Sequence, residues 1–333
     1  MRPLTLLAAA SVAAALAVCK PCLAAEDAPG LDEGFKFGGY SSAGINIEPG
    51  GHKRAQVDDA SLILRWEGNS RFRFFGEFEL EYPLAWEEGK DFPSPGSRFD
   101  LERLYVDYNL SEKLNLRAGR FLTPAGRWNL IHAAPLVWTT SRPLATSRLF
   151  PQSTNGLMFY GAAPLGERAF EYTFFIEGLK DQDRDRDEIE FEDTRGARFV
   201  LSGDSISWGL SLLQFREDSP GSPEFHLAGI DFMASHKGWE FSGEAFQRLY
   251  ANNNDGGNGA YLQAVAPLGH NWYGVGRLEN FQRPLEGSTE RWVLGTAWRL
   301  KPNQVFKLEY NGGNDDDHPE AHRGILASFA ILF

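Results

Sequence analysis

The chain has 333 residues, with 33 Lys and Arg against 45 Asp and Glu, for a formal net charge of −12. That balance argues against nucleic acid as a partner, because a phosphate backbone demands a basic face. Mean hydropathy is −0.35, and beyond the N-terminal segment no stretch approaches the twenty apolar residues that a membrane helix needs.

Residues 1–25 read as a cleavable signal peptide. Arg2 supplies the positive start, Leu4 to Val18 an apolar alanine-rich core, and Cys22-Leu23-Ala24-Ala25 the small residues of a cleavage site. Val18 before Cys19 is a poor setting for lipid attachment. The expected mature chain is 26–333, exported through the periplasm. Both cysteines, Cys19 and Cys22, fall in the segment removed, so the mature chain has no disulfide framework and no cysteine metal site. Losing Arg2 and Lys20 leaves 31 basic against 45 acidic residues, or −14. No cofactor is implied.

From residue 35 onward, about sixteen strand-like segments alternate with turns and polar loops. They are expected near 35–47, 57–67, 71–83, 99–110, 113–122, 154–163, 168–178, 193–203, 206–216, 224–236, 238–250, 258–267, 270–281, 288–300, 303–311 and 322–333. Strands put alternate side chains on opposite faces. Phe72, Phe74, Gly76, Phe78, Leu80 and Tyr82 oppose Arg71, Arg73, Phe75, Glu77, Glu79 and Glu81. Phe306, Leu308 and Tyr310 oppose Lys307, Glu309 and Asn311. The last segment aligns Ile325, Ala327, Phe329, Ile331 and Phe333 on one face, and Phe329, Ile331 and Phe333 fit a C-terminal assembly signal for an outer-membrane barrel. The segments near 224–236 and 258–281 are apolar on both faces, which suggests a neighbouring protomer or an in-folded loop against them.

Connections after even-numbered segments are short, as at Lys237-Gly238. Those after odd ones are expected to be long: 84–98, 123–153, 179–192, 251–257 and 312–321. An even strand count with this bias fits an all-β, transmembrane antiparallel β-barrel, closed so that no backbone edge meets lipid. Its charged faces must then line a wet lumen, and sixteen strands leave room for an aqueous channel. Trp66, Trp86, Trp208, Trp239, Trp272, Trp292 and Trp298 are expected at the membrane interfaces.

The third long connection, 123–153, is largely apolar and is stiffened by Pro124, Pro135, Pro143 and Pro151. Its Trp128, Leu130, Ile131, Leu136, Val137, Trp138, Leu149 and Phe150 seek cover, so the loop is expected to fold into the lumen and constrict it. From Lys113 to Gly166 there is no Asp or Glu. Arg117, Arg120, Arg127, Arg142 and Arg148 could face the solute there and attract anions. Alternatively they pair with lumen acids such as Glu77, Glu79, Asp107, Glu171 and Glu177 in a structural network. His132 is expected to be a hydrogen-bonded loop residue.

Gly119-Arg120-Phe121-Leu122-Thr123-Pro124-Ala125-Gly126, closing the fifth segment and opening the third loop, resembles the G-[KR]-F-x-x-P-x-G segment of the phosphate-selective porin O and P family. Arg142-Pro143-Leu144 and Pro151 to Gly156 echo the same pattern. The resemblance implies a sixteen-stranded outer-membrane channel of the porin superfamily, constricted by its third loop, and relatives of this kind are commonly homotrimers. Where that family usually has an acid soon after P-x-G, this chain has Trp128-Asn129-Leu130, and phosphate selectivity does not carry over.

The acidic runs Asp181 to Glu188 and Asn314 to His318, and the Asn252 to Gly259 run, lack the spacing of a calcium loop and read as solvated surface. His226, His236, His270, His318 and His322 are scattered, and no serine sits in a catalytic setting, so no enzyme is expected. The expected function is a porin passing small hydrophilic solutes or ions by passive diffusion, with an anion preference open. Its other partners would be outer-membrane lipid, lipopolysaccharide and the barrel assembly machinery. The competing expectation is a barrel that sheaths a periplasmic, electron-transfer or secretion component.

Overall fold

The computed structural model describes residues 34–68, 70–92, 97–180, 189–218, 221–284, 287–314 and 323–333. The expected signal peptide, the acidic run 181–188 and most of the run 314–318 lie outside the described residues. Sixteen strands make up the fold: β1 (Phe35–Ile47), β2 (Lys53–Glu67), β3 (Phe72–Glu87), β4 (Arg98–Ser111), β5 (Leu114–Leu122), β6 (Ser153–Leu165), β7 (Arg168–Glu177), β8 (Phe191–Ser202), β9 (Ile206–Glu217), β10 (Glu224–His236), β11 (Trp239–Tyr250), β12 (Asp255–Gly269), β13 (Trp272–Arg283), β14 (Gly287–Lys301), β15 (Gln304–Gly313) and β16 (Gly324–Leu332). Each pairs antiparallel with its neighbours in sequence, and β1 pairs with β16, so the sheet closes on itself. Every expected segment is present, with ends shifted by a few residues.

Closure depends on a tight seam. Gly39 and Phe333 exchange both backbone hydrogen bonds at 2.9 Å. A side chain at Gly39 would collide with the Ser61 carbonyl and press on the Phe333 ring. The connections after even strands hold two to four residues. Lys237 and Gly238, and His270 and Asn271, take positive φ, as two-residue turns matched to the strand twist require.

The odd-even bias in loop length holds only in part. The connections after β11 and β13 are short, 251–254 and 284–286. The expected loop 251–257 shrinks because Asp255 and Gly257 join the ladder opposite Leu249 and Arg248 through a bulge.

Apolar residues face outward from the wall: Leu62, Leu262, Leu278 and Leu294 are all at least half exposed. Aromatic pairs stud the outer face near the short turns, with Trp272 stacked on Trp298 at 5.1 Å and Phe72 against Tyr108 at 4.7 Å. Tyr82 departs from the expected outer set. Its φ is 46°, the β2–β3 register slips beside it, and its ring turns to the lumen beneath Arg54. A bulge adds residues to a strand and breaks the two-residue alternation.

Candidate functional site

The connection between β5 and β6 turns into the barrel, as the sequence predicts. Its first turn explains the glycine that ends the Gly119–Gly126 motif. Gly126 has φ +63°, and a Cβ there would strike the Glu244 carboxylate and the Phe246 ring. Without one, the backbone lies against the wall and the Gly126 N–H donates to Ser211 Oγ on β9 at 3.1 Å. Two 3-10 turns, Trp128–Leu130 and Leu144–Thr146, shape the rest.

Leu144, Ala145, Leu149 and Phe150 of the loop are fully buried, packed with Phe215, Phe225, Leu227, Phe246 and Phe281 of the wall. Phe225, Leu227 and Phe281 are inward apolar positions of the segments that read as apolar on both faces, and the in-folded loop is what covers them. Burial of this kind contributes roughly 25 cal/mol per Å² of apolar surface, which holds a thirty-residue connection out of bulk water.

Three wall glutamates on β11, β13 and β15 fix the loop backbone. Glu244 accepts the Trp128 N–H at 2.6 Å and the Tyr261 hydroxyl at 2.8 Å. Glu279 accepts the Leu144 N–H at 2.7 Å. Glu309 accepts the N–H groups of Thr140 and Ser141, both at 2.9 Å. Cations bind the loop carbonyls in the same way. Lys307 Nζ donates to Ala134 O at 2.7 Å and Thr139 O at 3.1 Å, and Arg277 to Ser141 O at 3.0 Å. Charge-assisted bonds of this sort are about twice as strong as neutral ones. Glu244, Glu279 and Glu309 were not singled out from sequence. Their signal was there: acids on strands whose inward face also carries apolar residues mark where a loop lands.

The five arginines expected to face solute take varied places. Arg117 forks onto Asp107 at 2.7 and 2.9 Å, with its guanidinium over the Tyr105 ring at 3.6 Å. Arg120 reaches Asn155 at 3.5 Å and Arg127 reaches Ser207 at 3.5 Å. Arg142 is a strut inside the loop, donating to Gln152 at 2.8 Å, Asn129 at 3.0 Å and Thr146 O at 2.7 Å, and lying 4.6 Å from the Trp128 ring. Arg148 is half-buried at the loop's return.

Of the acids expected to oppose them, Asp107 pairs with Arg117. Glu77 binds Arg103 instead. Glu177 accepts the Thr194 N–H at 2.7 Å, Glu171 lines a lower cavity, and Glu79 faces the aperture. His132 is hydrogen-bonded as expected, with Nδ1 3.1 Å from Asn129 O and Nε2 3.2 Å from Glu102 on β4.

The loop therefore occupies the side of the lumen against β9 to β15 and leaves space on the other side. A cavity of about 400 Å³ lies between the loop and the wall of β1, β2, β3 and β16. Its wall residues come from the ends of these strands nearest the long connections. A second cavity, of about 260 Å³, lies toward the short turns, lined by Arg103, Arg117, Tyr160, Glu171 and the loop's Pro124 and Leu130.

Solved structures share this architecture. The anion-selective porin from Comamonas acidovorans matches with a TM-score of 0.59 at 14% identity, over 90% of this chain and 98% of that one. OmpF of Salmonella typhi, in complex with daunomycin, matches with a TM-score of 0.64 at 10% identity, over 90% and 97%. OmpT of Vibrio cholerae matches with a TM-score of 0.59 at 8% identity, over 92% and 99%. The fold is that of a sixteen-stranded porin. No family model matches the sequence, and the resemblance to the phosphate-selective family rests on its motif alone. One curated relative, an uncharacterized protein of Aquifex aeolicus, is 30% identical over 139 residues, which is 40% of this chain. This chain spans only 31% of that protein's length.

Proposed function

We propose that this porin-fold barrel is an outer-membrane pore through which small hydrophilic solutes diffuse passively. The observation that carries the reading is the half-filled lumen, in which a loop fixed by Glu244, Glu279 and Glu309 leaves a polar gap against β1 to β3. The exposed apolar outer wall fits insertion in lipid, where a charged side chain costs about 2–4 kcal/mol near the midplane. Export through the periplasm and the use of Phe329, Ile331 and Phe333 as an assembly signal belong to the same reading, as does assembly into a trimer. No catalytic step is part of it. A sheath around a protein partner is disfavoured by size, since a 400 Å³ gap does not admit a folded polypeptide.

Liposome swelling tests this. Vesicles carrying the protein should swell in pentoses and hexoses, more slowly in disaccharides and hardly at all in larger oligosaccharides. Swelling no faster than in protein-free vesicles would contradict the pore.

A further inference from the structure

We infer that the aperture favours cations over anions of similar size, a statement that rests on the pore reading above. The charges around the 400 Å³ cavity differ in how far the protein itself engages them. On the barrel side stand Asp58 and Asp59 of β2 and Glu79 and Glu81 of β3. Asp58 takes a hydrogen bond from Gln56 at 2.7 Å, Asp59 from Ser42 at 2.5 Å, and Glu79 from Tyr40 at 3.4 Å. Among the described residues, none of these three carboxylates has a cation within ion-pair distance, whereas Glu81 lies 3.4 Å from Arg98.

Several lumen acids elsewhere have a cation, and Glu244 and Glu309 are held instead by loop N–H groups. Asp107 has Arg117, Glu77 has Arg103, Asp231 has Arg198, and Glu279 has both Arg277 and Arg291.

Two of the three Lys and Arg side chains at the same cavity are engaged with the loop, and the third, Arg54, is exposed. Lys307 is 2% exposed and donates to two loop carbonyls. Arg142 donates to three loop acceptors. Arg54 lies 5.6 Å from the Tyr82 ring. Formal charges around the cavity come close to cancelling, but what a solute can touch does not. It meets three carboxylates without an ion-pair partner and one exposed cation, Arg54, while Lys307 and Arg142 are committed to the loop.

A second observation points the same way. The buried oxygens Asn46 Oδ1, Gln56 Oε1 and Asp59 Oδ1 have no donor, and all three residues line this cavity. Oxygens without donors add negative potential at this wall, which suits a solute that brings positive charge, namely an alkali cation or an ammonium- or guanidinium-bearing molecule. The low-dielectric walls of a narrow gap amplify such a preference.

The test is the reversal potential of the reconstituted full-length protein across a potassium chloride gradient. The wild type should show a potassium-over-chloride permeability ratio above about 3, and Asp58→Asn/Asp59→Asn/Glu79→Gln should bring it below about 1.5. Chloride preference in the wild type would overturn the inference while leaving the pore intact, and so would potassium preference that survives in the triple variant. Electrical silence would instead defeat the pore reading, and this inference with it. If the triple variant does not fold, the single Asp59→Asn variant decides the matter: a lowered potassium-over-chloride ratio supports the inference, and an unchanged ratio overturns it.

Discussion

Glu279→Ala should cost about 3–5 kcal/mol of folding stability, the range for breaking a buried ion network by removing one partner. The Glu279 carboxylate accepts from Arg277 Nε at 2.7 Å, from Arg291 at 2.9 and 3.0 Å, and from the Leu144 N–H at 2.7 Å. Arg277 is 1% and Arg291 3% exposed. Alanine leaves two guanidinium groups beneath the loop without their carboxylate and a loop amide without its acceptor. The favourable route out is for the loop to lift and admit water. Glu279→Gln keeps the shape and one acceptor, so it should fall between alanine and the wild type. Thermal loss of strand circular dichroism in detergent reads both variants. An alanine variant within about 1 kcal/mol of wild type would show that the network does not hold the loop.

Removing the loop itself should enlarge the pore. Leu122 and Ser153 are already register partners, so a short glycine-serine turn in place of 124–152 closes the hairpin without disturbing the wall. Single-channel conductance should rise by roughly two- to fivefold, because a sixteen-stranded cylinder left unfilled holds a wide aqueous lumen. Stability should fall as well. Phe215, Phe225, Phe246 and Phe281 would pass from full burial into water, at about 1.5–3 kcal/mol for each fully re-exposed ring. Lys307 and Arg277 would lose their loop acceptors but regain solvent, so the aromatic residues carry most of the loss. Unchanged conductance would mean that the loop does not set the aperture.

Much of this molecule was legible from alternation. Leu308 and Lys307, or Leu294 and Val293, take opposite faces because a strand permits nothing else, and sixteen such segments define the barrel. The inward course of the third loop was legible too, since Trp138, Leu149 and Phe150 could not stay in water. Tyr82 was misplaced because a bulge leaves no mark in composition. The arginines were harder. An acid-free stretch reads as a basic surface, yet whether a guanidinium faces solute or its own loop depends on where the backbone turns. Arg142 folds back onto Gln152, Asn129 and Thr146, and nothing in its neighbours along the chain announces that. Asp58, Asp59 and Glu79 resemble any other inward acids in sequence. Only the strand register shows that they lack the cations that Asp107 and Glu77 possess.

A thiol block is the most direct test of a water path between the loop and the β2 wall. The only cysteines, Cys19 and Cys22, lie in the segment expected to be removed, so a single introduced cysteine can be labelled cleanly. Gln56→Cys, at the aperture, should lose most of its single-channel current when a bulky methanethiosulfonate reagent is added. Leu262→Cys, on the outward face, should keep its current after the same treatment. Full current through channels verified by mass to be labelled at position 56 would place the conducting path elsewhere and contradict the account.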